Sequence, residues 1–158
     1  MSGILTFELG GARCAIFASE VVEVQRAVAM ALLARGPPIV EGVIDLRGAL
    51  VPVLDLRSCL RLPPRALEPS DHLIIARVRR REGLGERRVA IRVDRALEIV
   101  SVPEPEINRA TESIPGAGHL AGSAPLAGGL VLIHDLARFL SLDEERELEQ
   151  SLAAAVAP

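Results

Sequence analysis

Residues 42–62, GVIDLRGALVPVLDLRSCLRL, align without a gap on residues 122–142, GSAPLAGGLVLIHDLARFLSL, at a shift of 80, and nine of the 21 positions are identical. Gly42 meets Gly122, Leu46 meets Leu126, Gly48 meets Gly128, Leu50 and Val51 meet Leu130 and Val131, and Asp55, Leu56, Leu60 and Leu62 meet Asp135, Leu136, Leu140 and Leu142. These are the residues that a strand, tight turn, strand and helical turn need in succession. Glycine frees the turn, the apolar residues alternate, and the aspartate accepts from the free amides of the turn that follows. At a shift of 75, Arg13, Ala15, Ile16 and Glu23 fall on Arg88, Ala90, Ile91 and Glu98, with Ser19 on Asp94 as the possible cap. The chain reads as a duplication, so whatever fold serves one copy must serve the other.

Outward from the repeat, runs of period-2 alternation dominate, punctuated by Gly and Pro. They are Leu5 to Leu9, Cys14 to Phe17, Val43 to Leu46, Leu50 to Leu54, Leu73 to Val78, Val89 to Val93 and Leu130 to Ile133. Helices of one or two turns are expected after Asp55 and Asp135. Each copy spans about 70 residues, too few to stand alone with open sheet edges, so the two should curl into small barrels packed on each other with a groove between. Whether the lobes are contiguous or exchange strands is left open by the pattern. Ser141 and Glu144 form a capping box, and Leu148, Leu152 and Val156 continue one stripe, which predicts a helix to about Ala157 lying on the barrels.

Composition narrows the function classes. The 158 residues carry a net charge of -3, which gives no general pull toward nucleic acid or an anionic membrane. All 18 basic residues are Arg. The longest apolar run, 27–34, is far short of the roughly 20 residues of a membrane helix. The first residues show no basic and apolar signal-peptide pattern, so the expected location is cytoplasmic, without direct membrane insertion.

Catalytic signals are thin. His134 and Asp135 are neighbours on a strand and point to opposite faces, and the repeat sets His134 opposite Leu54, so a structural histidine is expected. His72 and His119 lack metal-ligand spacing, Cys14 and Cys59 stand 45 residues apart, and no P-loop, GxGxxG or GxSxG is present. No catalytic residue, metal or cofactor is assigned. The stretch Arg77, Arg79, Arg80, Arg81, Arg87, Arg88, Arg92 and Arg95, with Glu82, Glu86 and Asp94, reads as a solvated hairpin loop around Gly83 and Gly85. It contains none of the three phenylalanines, so base stacking has no platform, and a nucleic-acid-binding double barrel or an unrecognised hydrolase is a minor alternative. Arg47 stands apart. Gly48 suits a type I turn with a bulge, leaving Arg47 exposed at the apex; the repeat has Ala127 there, so the turn does not need the arginine.

The run Val40-Glu41-Gly42-Val43-Ile44-Asp45-Leu46-Arg47-Gly48-Ala49-Leu50-Val51-Pro52-Val53-Leu54-Asp55-Leu56-Arg57 resembles the signature of the CheW family of chemotaxis coupling proteins. Leu9-Gly10-Gly11, Glu20 to Val24, Pro37-Pro38, Arg92-Val93-Asp94, Glu98 to Val100 and Leu130 to Leu140 extend the likeness over roughly residues 4 to 142. The resemblance implies a mainly β fold of two SH3-like five-stranded barrels: a CheW-like domain over 1–141, with lobes of about 1–67 and 68–141, then a C-terminal helix over 142–158. It implies a non-enzymatic adaptor between the cytoplasmic tip of a methyl-accepting chemoreceptor and the regulatory domain of a CheA-type histidine kinase, in cytoplasmic arrays. A coupler for a pilus, biofilm or developmental pathway is the nearest alternative. Carried over by motif, Val21, Glu23, Val24 and Arg47 match receptor-facing positions, with Ala90 and Ile99 nearby on the second lobe; Gly42 and its hairpin, Val43, Asp45 and Gly48, match the kinase-facing side. Three positions depart from the family pattern: Asp45 where Asn is frequent, Ala90 where Gly is common, beside the expected groove, and His119 where an aromatic is frequent.

Overall fold

A computed structural model of the chain describes residues 1–80, 83, 85–110 and 118–156. Arg81, Glu82 and the end of the C-terminal helix at Ala157 therefore lie outside the described residues. The strands are β1 (Ser2–Leu9), β2 (Ala12–Phe17), β3 (Val21–Arg26), β4 (Val40–Leu46), β5 (Ala49–Leu54), β6 (His72–Arg79), β7 (Glu86–Val93), β8 (Arg95–Val102), β9 (Leu120–Leu126) and β10 (Gly129–His134). The helices are α1 (Leu56–Cys59) and α2 (Leu142–Val156). All seven alternating runs fall on strands. The alternation missed β9, which only the repeat marked as the copy of β4, and β3 and β8, whose pairing with β6 and β1 carries register shifts that interrupt period 2 and which border solvent as edge strands.

The strands form two five-stranded sheets, ordered β8-β1-β2-β10-β9 and β3-β6-β7-β5-β4. Under the repeat these are one order written twice. β4 and β9, and β5 and β10, coincide end to end at a shift of 80. The parallel pairing Ile133 with Ala15 is repeated as Val53 with Ala90, and Leu5 with Ile99 is repeated as Ile74 with Val24. The sheets do not divide at residue 67. One is continuous from β3 to β7, and the other joins β1 and β2 to β8, β9 and β10. The cause is local: a 3-10 turn at Ala18–Glu20 carries the chain out of the first sheet after β2, and it returns at Asp94.

Alternation gives each central strand two buried faces, and three apolar clusters result. Ile4, Ala15, Val102, Ala124, Val131 and Ile133 fill the first sheet's own interior. Ile44, Leu46, Val51, Val53, Leu73, Ile75 and Ala90 fill the second's. The opposite faces, Leu5, Phe7, Leu9, Cys14 and Ile16 from one sheet and Ile74, Ala76, Val78, Val89 and Ile91 from the other, meet in a shared core. Gly42 and Gly122 have the same reason to exist in both copies. A Cβ on Gly42 would lie 2.8 Å from the Ala31 carbonyl oxygen, and one on Gly122 would lie 2.7 Å from that of Asn108. Each glycine lets an incoming segment bridge to the edge strand, Ala31 to Val43 and Asn108 to Ser123.

Asp55 accepts from the Ser58 amide and Asp135 from the Ala137 amide, capping the short turns as the sequence predicts. The capping box of α2 is reciprocal: Glu144 N donates to Ser141 Oγ at 3.1 Å and Ser141 N to Glu144 Oε1 at 3.0 Å. Leu148 is fully buried in the shared core, and Glu145 and Glu149 take ion pairs from Arg80 and Arg87. Part of the basic stretch is thus a clamp for an acidic helix rather than a solvated loop, and Arg92 is buried between Glu41, at 2.6 Å, and Asp71.

Candidate functional site

The β4–β5 tip is tighter than a type I turn with a bulge. Leu46 pairs with Ala49, leaving a two-residue loop, and both Arg47 (φ 51°) and Gly48 (φ 89°) are left-handed, the pattern of a type I′ hairpin whose twist matches its strands. Asp45 Oδ1 accepts from Gly48 N at 2.7 Å and fixes the turn. Arginine is a costly choice for that conformation. Its guanidinium reaches across from one edge of the sheet to the other, where Nη2 lies 3.3 Å from Glu23 Oε1 on β3, so the sheet is curled enough for its edges to be linked. In the first sheet the same link is made differently: Arg13 donates to the Ala127 carbonyl at 3.0 Å and pairs with Glu98, the repeat partner of Glu23.

The edge strands of both sheets carry exposed aliphatic residues. Val24 is 42% exposed, and its repeat partner Ile99 on β8 is 64% exposed. Val21 is half-buried against the shared core. Ile99 is brought to the start of β3, because a Cβ on Gly3 would touch both Ile99 Cγ2 (3.5 Å) and Ala18 Cβ (3.3 Å), three residues before Val21. Ala90 is elsewhere. It has no exposed surface and packs with Val53 and Ile75 inside the second sheet, so its methyl faces core rather than groove; β7 is a central strand covered on both sides. Of the hairpin residues assigned to the second partner, Gly42 is covered by the chain's own Met30 and Ala31 and Val43 is buried in the shared core, while Asp45 and Gly48 are exposed.

The sequence reading missed the charged junction at Asp94. Arg57 and Arg65 each reach Asp94 Oδ1, at 2.7 and 2.6 Å, Gly10 N donates to Oδ2, and Arg65 also holds Asp71 at 2.6 Å. Burial would raise the Asp94 pKa, but these donors hold it down to about 2. The signal was present in the repeat as paired departures: Asp94 stands opposite Ser19, and Arg57 opposite Ala137. The histidines are structural in their contacts. His72 Nδ1 accepts from Ala96 N, and His134 is buried, stacked on His119 with centroids 5.4 Å apart and tilted against Phe139. Burial, then His119, pushes His134 down to about 4. Among the described residues no group of three His, Cys, Asp or Glu is placed to hold a metal ion, and no helix is long and apolar enough to cross a membrane.

The family model of the CheW-like domain matches residues 3–144. The chain belongs to the CheW family. Chemotaxis protein CheW of Bacillus subtilis is 31% identical over 111 residues, 70% of this chain and 67% of that protein. Chemotaxis protein CheW of Klebsiella aerogenes is 25% identical over 142 residues, 89% of this chain and 82% of that one. The crystal structure of the scaffolding protein TtCheW from Thermoanaerobacter tengcongensis has the same fold, with a TM-score of 0.78 at 22% identity over 90% of this chain and 94% of that one. Membership makes this a chain of a scaffold and coupling family, and it sets α2 apart: the CheW model ends in its first turn.

Proposed function

We propose that this CheW-family chain is a non-enzymatic adaptor that couples the cytoplasmic tip of a methyl-accepting chemoreceptor to the regulatory domain of a CheA-type histidine kinase, in the cytoplasm at membrane-associated receptor arrays. The observation that carries the reading is Arg47, held in a left-handed backbone at a hairpin tip and tied to Glu23 beside exposed Val24. Strain of this kind persists where the surroundings fix it, and it is concentrated at functional positions. A receptor tip is a helical hairpin. Helices dock on aliphatic walls with a few oriented polar anchors, and Val21, Val24 and Ile99 supply the walls while Arg47 and Glu23 supply the anchors. Asp45 and Gly48, on the same tip, are the exposed candidates for the kinase, with Gly42 and Val43 supporting them from below. Lacking Trp and Tyr, the surface would rest on Arg and aliphatic contacts of modest strength, raised by multivalency in an array.

Arg47→Glu tests this. It should reduce co-sedimentation with receptor signalling fragments and kinase by roughly tenfold or more, by setting two carboxylates side by side, while far-UV circular dichroism stays that of the parent. Normal assembly by the folded variant would overturn the role of Arg47.

A further inference from the structure

The two crossings between the sheets are twins under the repeat, and only one is filled. Where β7 passes to β8, Asp94 is gripped by Arg57 and Arg65, and Leu62 closes over Gly10, where a Cβ would lie 2.7 Å from its side chain. Where β2 passes to β3, Ser19 stands in place of Asp94 and Ala137 in place of Arg57. Register supplies the third counterpart. Leu9 pairs with Ala12 and Val78 with Arg87, the residue 75 positions on, so Arg79 occupies the place of Gly10. Among the described residues no second loop covers this side: α2 begins at Leu142, the partner of Leu62. The result is an open cleft of about 590 Å³ lined by Ser19, Glu20, Arg77, Arg79, Asp135 and Arg138 among others, within the size range of small-ligand sites.

The full crossing shows what the open one lacks: a carboxylate at the position of Asp94, where Ser19 stands. Arg138 pairs with Asp135 at 3.1 Å and Arg77 with Glu86 at 3.7 Å, but Arg79 has no acidic partner among the described residues. We propose that this cleft binds a small multivalent anion, bearing two or three phosphate or carboxylate groups, with one group occupying by Ser19 and Arg79 the place that the Asp94 carboxylate has at the twin crossing. Guanidinium forks match both oxyanions in bidentate geometry. Among the described residues no aromatic ring lines the cleft, so a nucleobase would find no stacking platform there.

Glu20 gives the site a second signature. Burial, then the Asp135 carboxylate, push it up to about 7. The charged groups lining its cleft are Asp135 and Arg138 from the turn after β10, Arg77, Arg79 and Arg80 from β6, and Glu86 from β7. Protonated, Glu20 can donate to the bound oxyanion; ionised, it repels it. Anion affinity therefore falls as pH rises through neutrality.

The test is calorimetric titration of the full chain with inorganic pyrophosphate and, separately, citrate, at about pH 6 and about pH 8. Saturable binding is expected, weaker at the higher pH, and the tighter anion assigns the ligand to the phosphate or the polycarboxylate class. Ser19→Asp, which builds the twin's carboxylate into an exposed position, should abolish it with circular dichroism unchanged. Arg79→Ala should weaken it roughly tenfold, and Glu20→Gln should retain it and lose the parent's weakening at the higher pH, leaving only the dependence that comes from the anions' own ionisation. Failure of both anions to saturate the protein, or parent-like binding by a folded Ser19→Asp variant, would overturn the proposal.

Discussion

Arg47 and His134 each occupy a position that a cheaper residue could fill, and each choice has a measurable consequence. A two-residue hairpin with both φ values positive favours Asn-Gly, so Arg47→Asn should relieve backbone strain while losing only an exposed ion pair, which is worth little. The expected outcome is a gain of up to about 1 kcal/mol by urea denaturation, together with weaker partner binding. His134 titrates at about 4 in the fold against about 6.5 unfolded. A depressed histidine binds fewer protons folded than unfolded, so its contribution is complete above the unfolded value and is lost as pH falls toward the folded one, about 3 kcal/mol in all. Glu20 runs the other way: its raised pKa makes the folded state bind more protons, so it favours folding as pH drops from about 7 toward the ordinary range of a glutamate. The two oppose each other over the same window. His134→Leu, the repeat partner's residue, should leave stability rising on mild acidification, and Glu20→Gln should leave it falling; denaturation midpoints across that range separate them.

At the scale of elements, the repeat glycines make the sharpest prediction. Because the atoms in the way of a Cβ are backbone carbonyls, neither neighbour can swing aside. Gly42→Ala and Gly122→Ala should each lose about 2 kcal/mol, visible as a lowered Tm, whereas Ala in place of Gly3, which meets only side chains, should be milder. These elements also show why some of the molecule was legible and some was not. β4, β5 and their copies β9 and β10 could be read because turn glycines, capping aspartates and alternating aliphatics are all local signals repeated at one spacing. β3 and β8 escaped alternation because register shifts break it, although the family likeness still marked Glu23 and Ile99 on them. The Arg47 to Glu23 pair and the Asp94 junction depend on which strands become sheet edges and where the chain crosses, and no local pattern encodes that. Ala90 was misplaced for the same reason: alternation says that a residue faces one side of a sheet, but not that both sides will be covered.

For the whole molecule the decisive feature is that the largest apolar cluster belongs to both sheets. Phe7, fully buried there, contacts a core built jointly, so Phe7→Ala should cost about 3–5 kcal/mol and lower the stability of both sheets together. Unfolding followed by circular dichroism and by amide exchange in β1 and β7 should coincide; two separated transitions would show that the sheets stand independently. The assembly of the sheets also dictates an order of events at the ribosome. The five strands of the second sheet are complete once Val93 has emerged, but β1 and β2, made before them, have only each other until β8, β9 and β10 arrive, ending at His134. Of the ten described strands, β1 and β2 thus wait longest for their remaining neighbours. During that interval the leucines and Phe7 of β1 depend for shelter on the strands between Val21 and Val93, so the segment that splits the first sheet in sequence also holds its two parts until they meet.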